Sequence, residues 1–178
     1  MLKKEDRRIK LTKLILKKTL IDMLKEKDIY HISIRDLCKK ADVNRTTFYK
    51  HYGSQFELLS DMENDMLQYI DKALSQNEEE QEILIKNACE YLEENIEFIK
   101  IIVNNNVDSS FPRKLFELPS IKRIAKKWLP DYESEAEFEY LYTFLTYGIC
   151  HAICVWVRKK ERESPEMLAN MINKLLSR

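Results

Sequence analysis

The chain has 178 residues, 44% hydrophobic and 34% charged, with two glycines, four prolines and 30 basic against 30 acidic side chains. Such a length holds one domain or two small ones, and many helix formers with few turn formers set aside a β-rich chain in favour of an all-α one. The zero total hides a split: residues 1–60 carry 15 Lys+Arg and 8 Asp+Glu, a balance of +7, and the remainder carries 15 and 22, a balance of −7. A basic N-terminal third on an acidic remainder suggests a polyanion-binding module on a solvated body, with chance surface asymmetry as the plain alternative.

From Glu5 to Lys27, Leu16, Leu20, Met23 and Leu24 recur at helical spacing, which predicts one long amphipathic helix with Lys13, Lys17, Lys18 and Lys25 turned largely outward. Arg7, Arg8 and Lys10 precede that face as a basic first turn, either resting on phosphates or simply solvated. The opening MLKKEDRRIKLTK lacks the apolar core of a leader peptide, and no apolar run approaches about 18 residues, so neither secretion nor a membrane span is expected. Cys38, Cys89, Cys150 and Cys154 lie scattered without C-x-x-C spacing, the pattern of a reduced, cytoplasmic protein without disulfides.

After a link from Asp28 to Ile32, three helix starts follow in quick succession. Ser33 and Asp36 have capping-box spacing, and Ile32 and Leu37 occupy the staple positions on either side of the cap. Asn44 can cap a second helix, with Val43 and Phe48 repeating the staple, and Ser54 with Glu57 opens a third helix. A short helix, the turn Ala41-Asp42-Val43 and another short helix make a helix-turn-helix, whose second helix enters the DNA major groove. Gly53 is expected to supply a positive φ or a tight approach between helices.

Gln55 to Ser75 predicts a helix with a broad apolar face, and Gln76 to Glu82 a loop running into the next start. Ile83 to Val103 is helical in period with a break near Glu94-Asn95. Asn104 to Ser110 reads as a turn cluster, and Pro112, Pro119 and Pro130 punctuate a less regular region with a helix from Ser120 to Trp128. Glu133 to Lys160 predicts a long, largely apolar helix, and Ser164-Pro165 opens a last amphipathic one.

The segment A-D-V-N-R-T-T-F-Y-K-H-Y-G-S-Q-F-E-L, Ala41 to Leu58, resembles the TetR/AcrR family of bacterial transcriptional regulators. Members typically read A-G-V-S-x-x-T-F-Y-x-H-F-x-S-K-E-x-L around the recognition helix. The T-F-Y-x-H core of Thr47, Phe48, Tyr49 and His51 carries the likeness, with Tyr52 after it and I-S-I-R-D-L before it. The family's turn glycine is Asp42 here, and its lysine in the first turn of the next helix is Gln55. The resemblance implies a homodimer on a palindromic double-stranded DNA operator, with residues 1–54 binding DNA and a helical bundle, 55–178, regulating and dimerising. It assigns Arg35, Arg45, Thr46 and Thr47 to base edges, Tyr49, Lys50 and His51 to backbone or neighbouring bases, and Asn44 and Gln55 to the DNA-facing helix starts. Chemistry agrees, since Arg forks onto guanine and Thr meets the thymine methyl, whereas Phe48 at its staple position belongs to the core.

The tail F-L-T-Y-G-I-C-H-A-I-C-V-W-V-R-K-K with S-P-E-M resembles a C-terminal type found in regulators similar to the dihydroxyacetone-kinase operon activators. In that type the second domain engages a protein rather than a drug-like ligand. Gly148 and Ala152, four residues apart, suggest close helix approach at a dimer seam that also takes in Trp156, with a tolerated helix glycine as the alternative. Tyr140, Tyr142, Tyr147 and Trp156 pack a core or line an effector pocket or an interface, and Cys150 and Cys154 read as small apolar residues in preference to a metal or thiol sensor. No nucleophile–base pair, phosphate-binding glycine loop or H-E-x-x-H motif is present, so no enzyme, cofactor or metal is expected. The expectation is a dimeric repressor under a small-molecule effector, or a regulator answering to a protein partner.

Overall fold

The computed structural model describes residues 2–76, 80–105, 111–129 and 132–176. The protein is 82% helical, without strands among the described residues, which bears out the all-α expectation. It divides into two compact units, Met1–Met66 and Leu67–Arg178, and the division falls inside a helix.

In the first unit α1 (Leu2–Leu24) is followed by a 3₁₀ turn (Ile29–His31), α2 (Ile34–Ala41), α3 (Arg45–Tyr49) and the first part of α4 (Gln55–Gln76). The local signals are realised bond by bond. Asp28 accepts from the Tyr30 N–H at 3.1 Å, Ser33 Oγ from the Asp36 N–H at 3.1 Å, and Asn44 Oδ1 from the Thr46 N–H at 2.8 Å. Each satisfies an amide that a helix start would otherwise leave open. Of the staple residues, Ile32, Leu37 and Phe48 are buried, as are Leu16, Leu20 and Leu58, and Val43 is half-buried. The Ser33 box closes differently from expectation, because its hydroxyl donates to Asp36 Oδ2 at 2.7 Å. That bond, first among its causes, holds the Asp36 carboxyl below its ordinary range.

The second unit holds the rest of α4, α5 (Gln81–Glu94), α6 (Ile96–Asn105), α7 (Phe111–Phe116), α8 (Pro119–Trp128), α9 (Glu135–Arg158) and α10 (Pro165–Leu176). The break at Asn95 is present: its N–H and its side-chain amide both donate to the Tyr91 carbonyl, at 3.1 and 2.9 Å, and α6 starts at once. Ser134 and Ser164 cap α9 and α10 through the N–H groups of Glu137 and Met167. Helix α7 occupies a stretch that its proline count marked as irregular; Pro112 sits in the first turn, where a missing N–H costs nothing. Of the expected turn and loop residues, Asn77 to Glu79, Asn106 to Ser110 and Pro130 lie outside the described residues, while Asn104 and Asn105 complete α6. α10 packs chiefly on α5, and α9 on α6 and α7. Arg162, after α9, pairs with Glu93 of α5 at 3.0 Å and stacks over Trp156.

By length and composition alone, helix α9 is apolar enough to cross a membrane. It contains no long unbroken apolar run, because Thr, Tyr, Gly and His interrupt it at little cost in hydropathy.

Candidate nucleic-acid interface

Helix α3 has five residues, too few to persist by its own hydrogen bonds, so packing must hold it. Phe48 is fully buried and Tyr52 nearly so, one turn apart, and their rings lie 5.8 Å apart. That inward pair turns the remaining positions out. Thr46, Tyr49 and Lys50, at i, i+3 and i+4, form an exposed face with Arg45 at its N-terminal end, while Thr47 and His51 are half-buried at its flank. Tyr49 keeps its ring edge on Phe48 at 5.7 Å, which fixes the ring and leaves its outer side open.

The turn before α3 depends on one backbone conformation. Asp42 has φ 52° and ψ 42°, the left-handed region, and its N–H reaches back to the last carbonyls of α2. Asp enters that region more readily than most residues, though at some strain. Burial pushes the neighbouring Cys38 thiol up, and the Arg45 charge works against that shift. Arg35 lies exposed in the first turn of α2, its Nε 3.6 Å from Asp36, a distance too long to commit it.

Gly53 and Ser54 join α3 to α4. Gly53 has no positive φ, and tight approach accounts for it: an added Cβ would meet Glu57 Oε1 at 2.8 Å. Glu57 accepts from the Gly53 N–H at 2.7 Å while its own N–H donates to Ser54 Oγ at 3.2 Å. The carboxylate therefore reaches back one residue beyond the usual box. Gln55, half-buried, follows as the first residue of α4.

No local sequence signal marks what anchors the far end of α3. Tyr52 OH donates to Asp61 Oδ2 at 2.8 Å, and Lys17 Nζ lies 2.7 Å from the same oxygen and bridges to Asp65. Lys13 adds its charge from 3.9 Å and lies over the Tyr52 ring. Lys17, expected to point outward, is thus turned in, with a side chain only 16% exposed. Burial alone would lower its pKa; the Asp61 and Asp65 hydrogen bonds outweigh it and raise the ammonium. At Asp61 burial works upward, and the bonds from Lys17 and Tyr52 overcome it and hold the carboxyl below its ordinary range. Burial and the Asp61 bond together raise the Tyr52 phenol. One carboxylate thereby ties together α1, α4 and the residues that follow α3.

In the second unit, Tyr140 and Phe144 of α9 are 79% and 77% exposed, and Tyr147, Gly148, His151 and Val155 continue the stripe. On α10, Met167, Met171 and Leu175 form another exposed row at helical spacing. A Cβ added to Gly148 would meet nothing within 4 Å, so among the described residues no helix approaches it closely. Ala152 is half-buried. Trp156 leaves the expected seam: it is 2% exposed, and its indole N–H donates to the Glu163 carbonyl at 2.9 Å. Eight residues of helix rotate a side chain by about 80° relative to Gly148, enough to carry it from the outer face to the core. Tyr140 and Tyr147 are likewise outside, whereas Tyr142 faces inward onto a cavity of about 170 Å³. Cys150 and Cys154 are free, and burial followed by its neighbour Cys154 pushes the Cys150 thiol up to about 11. Among the described residues no group of three or more His, Cys, Asp or Glu is placed to hold a metal ion.

The chain is similar to known proteins. The TetR_C_8 family model, described as a transcriptional regulator C-terminal region, matches residues 78–178. YxbF of Bacillus subtilis, an uncharacterized HTH-type transcriptional regulator, is 24% identical over 169 residues, which cover 90% of this chain and 43% of YxbF. The chain thus spans less than half of that relative. DhaS of Lactococcus lactis, an HTH-type dhaKLM operon transcriptional activator, is 26% identical over 175 residues, 94% of this chain and 90% of DhaS. Among solved structures, a TetR transcriptional regulator from Streptococcus agalactiae superposes with a TM-score of 0.76 at 21% identity, covering both chains fully. A dihydroxyacetone kinase operon activator DhaS does so with 0.64 at 21% identity, covering 93% of this chain and 94% of its own. At such identity the two structures speak for the fold.

Proposed function

The chain belongs to the TetR family of transcriptional regulators, and on that premise we propose that it binds a palindromic DNA operator as a cytoplasmic homodimer and represses until an effector fills its second unit. The observation that carries the reading is the outward face of α3, where Arg45, Thr46, Tyr49 and Lys50 stand clear of a helix pinned by Phe48 and Tyr52. Residues 1–54 are the DNA-binding part in this proposal and 55–178 the regulatory and dimerising part. Arg35, Arg45, Thr46 and Thr47 read base edges; Tyr49, Lys50 and His51 meet the backbone; Asn44 and Gln55 present helix N-termini, whose amides suit phosphate. Dimer contacts come from the outer face of α9 around Gly148 and Ala152, with Tyr140, Phe144 and Tyr147. Pairing sets the distance between recognition helices, and half-sites roughly 34–36 Å apart tolerate little change in it.

A second reading is favoured by the likeness to DhaS, whose name describes an operon activator: the second unit binds a protein partner and the regulator activates. Binding to the DNA flanking its own gene, measured across salt concentrations with and without cell extract, tests both. The expected log–log slope steepens by about −0.9 per phosphate neutralised. A slope near zero would remove the DNA-binding claim, and release by a small-molecule fraction, as against a protein one, separates the two readings.

A further inference from the structure

We propose that the cavity in the second unit is a binding site for a small, uncharged molecule without hydrogen-bonding groups, of the size of an alkylbenzene. The inference rests on the effector reading above and supplies the effector's chemical class. The cavity measures about 170 Å³ and is walled by apolar side chains of α4, α5, α7, α8, α9 and α10, Leu74, Leu84 and Ile124 among them. Among the described residues no charged side chain lines it, and its wall, which includes Trp128, is almost wholly apolar. Two hydroxyl residues line it, and both have spent their protons: Tyr142 donates to the Phe116 carbonyl, and Thr146 donates to the Tyr142 carbonyl at 2.6 Å. Burial pushes the Tyr142 phenol up to about 12, so it carries no charge for a ligand to meet.

A polar molecule entering such a space gives up its hydration and regains nothing. An enclosed apolar cavity of about 150 Å³ lined by Leu, Ile and Phe takes benzene; the present cavity, similar in size and lining but half open, offers a ligand shape and apolar contact. Leu74 stands near the C-terminal end of α4, the helix whose first residue is Gln55. A molecule pressing on that wall therefore touches an element that starts at the DNA-binding segment.

Toluene and benzoate, nearly equal in size and differing in charge, are the probes. Calorimetric titration of the full chain should give saturable toluene binding and a raised Tm, with benzoate weaker by more than about a hundredfold. Ala125→Leu, which fills the cavity from α8, should abolish toluene binding while the protein keeps its helical circular dichroism. Ala88→Leu, filling from α5, serves the same purpose if the first variant fails to fold. Absence of saturable toluene binding, benzoate binding equal to toluene, or undiminished toluene binding by a folded cavity-filling variant would overturn the assignment. Operator affinity is measured both without and with toluene; its loss without the probe falls on the regulator reading and not on the cavity. Toluene bound with operator affinity unchanged counts against effector control and leaves the cavity assignment standing.

Discussion

Asp42 sits where the family pattern has glycine, and its φ of 52° makes the reason physical: the turn needs a left-handed residue. Asp42→Gly should therefore raise stability by about 0.5–1 kcal/mol, read from the midpoint of urea unfolding, because relief of Cβ strain exceeds the added chain entropy. No change, or a loss, would mean that Asp42 bears no strain. On α3, Arg45 and Lys50 separate by chemistry. Arg45→Ala should relax base preference at one position and cost about 1–3 kcal/mol, whereas Lys50→Ala should weaken all sequences alike and reduce the salt slope by about one. Arg45→Ala binding operator as tightly as the parent at moderate salt would show that α3 is not the reading element.

At the scale of elements, the helix-turn-helix is held at its far end by Asp61. Removing that charge in Asp61→Asn keeps one acceptor oxygen but weakens the bonds from Lys17 and Tyr52, and should cost about 1–2 kcal/mol. The pH dependence has a definite sign. A carboxyl held below its ordinary value of 3.8 binds its proton more readily in the unfolded chain. Its contribution is complete above about pH 4 and drains away as pH falls through the lower folded value. The Tm difference between parent and Asp61→Asn should thus be widest near neutrality and narrow below about pH 4. A difference constant with pH would show that packing, not charge, is what the substitution removes.

At the scale of the whole molecule, the exposed aromatic stripe of α9 accounts for its membrane-like composition if a second copy covers it. An apolar face of this kind left open to water is costly, and close approach at Gly148 has no taker among the described residues. Phe144→Glu should weaken self-association by at least about tenfold in sedimentation, and weaken binding to a two-half-site operator with it. Because Phe144 is 77% exposed, the monomer should keep its helical signal. A dimer that persists unchanged would move the seam elsewhere.

Sequence alone determined the helices other than α7, most of their caps and the helix-turn-helix, because each depends on residues within a turn or two. Ser33 meets Asp36, Asn44 meets Thr46, and Phe48 follows Val43 by a fixed rotation. It likewise carried the break at Asn95 and the all-α class. Tertiary structure alone decided which way ambiguous side chains turn. Lys17 meets Asp65 from 48 residues away, and Tyr142 meets Phe116 from 26. Nothing in local spacing separates the inward lysine from its outward neighbours, or Trp156 in the core from Gly148 on the surface. A helix presents the same repeat whatever packs against it; burial is set by the partner surface, and the chain supplies that surface only once folded.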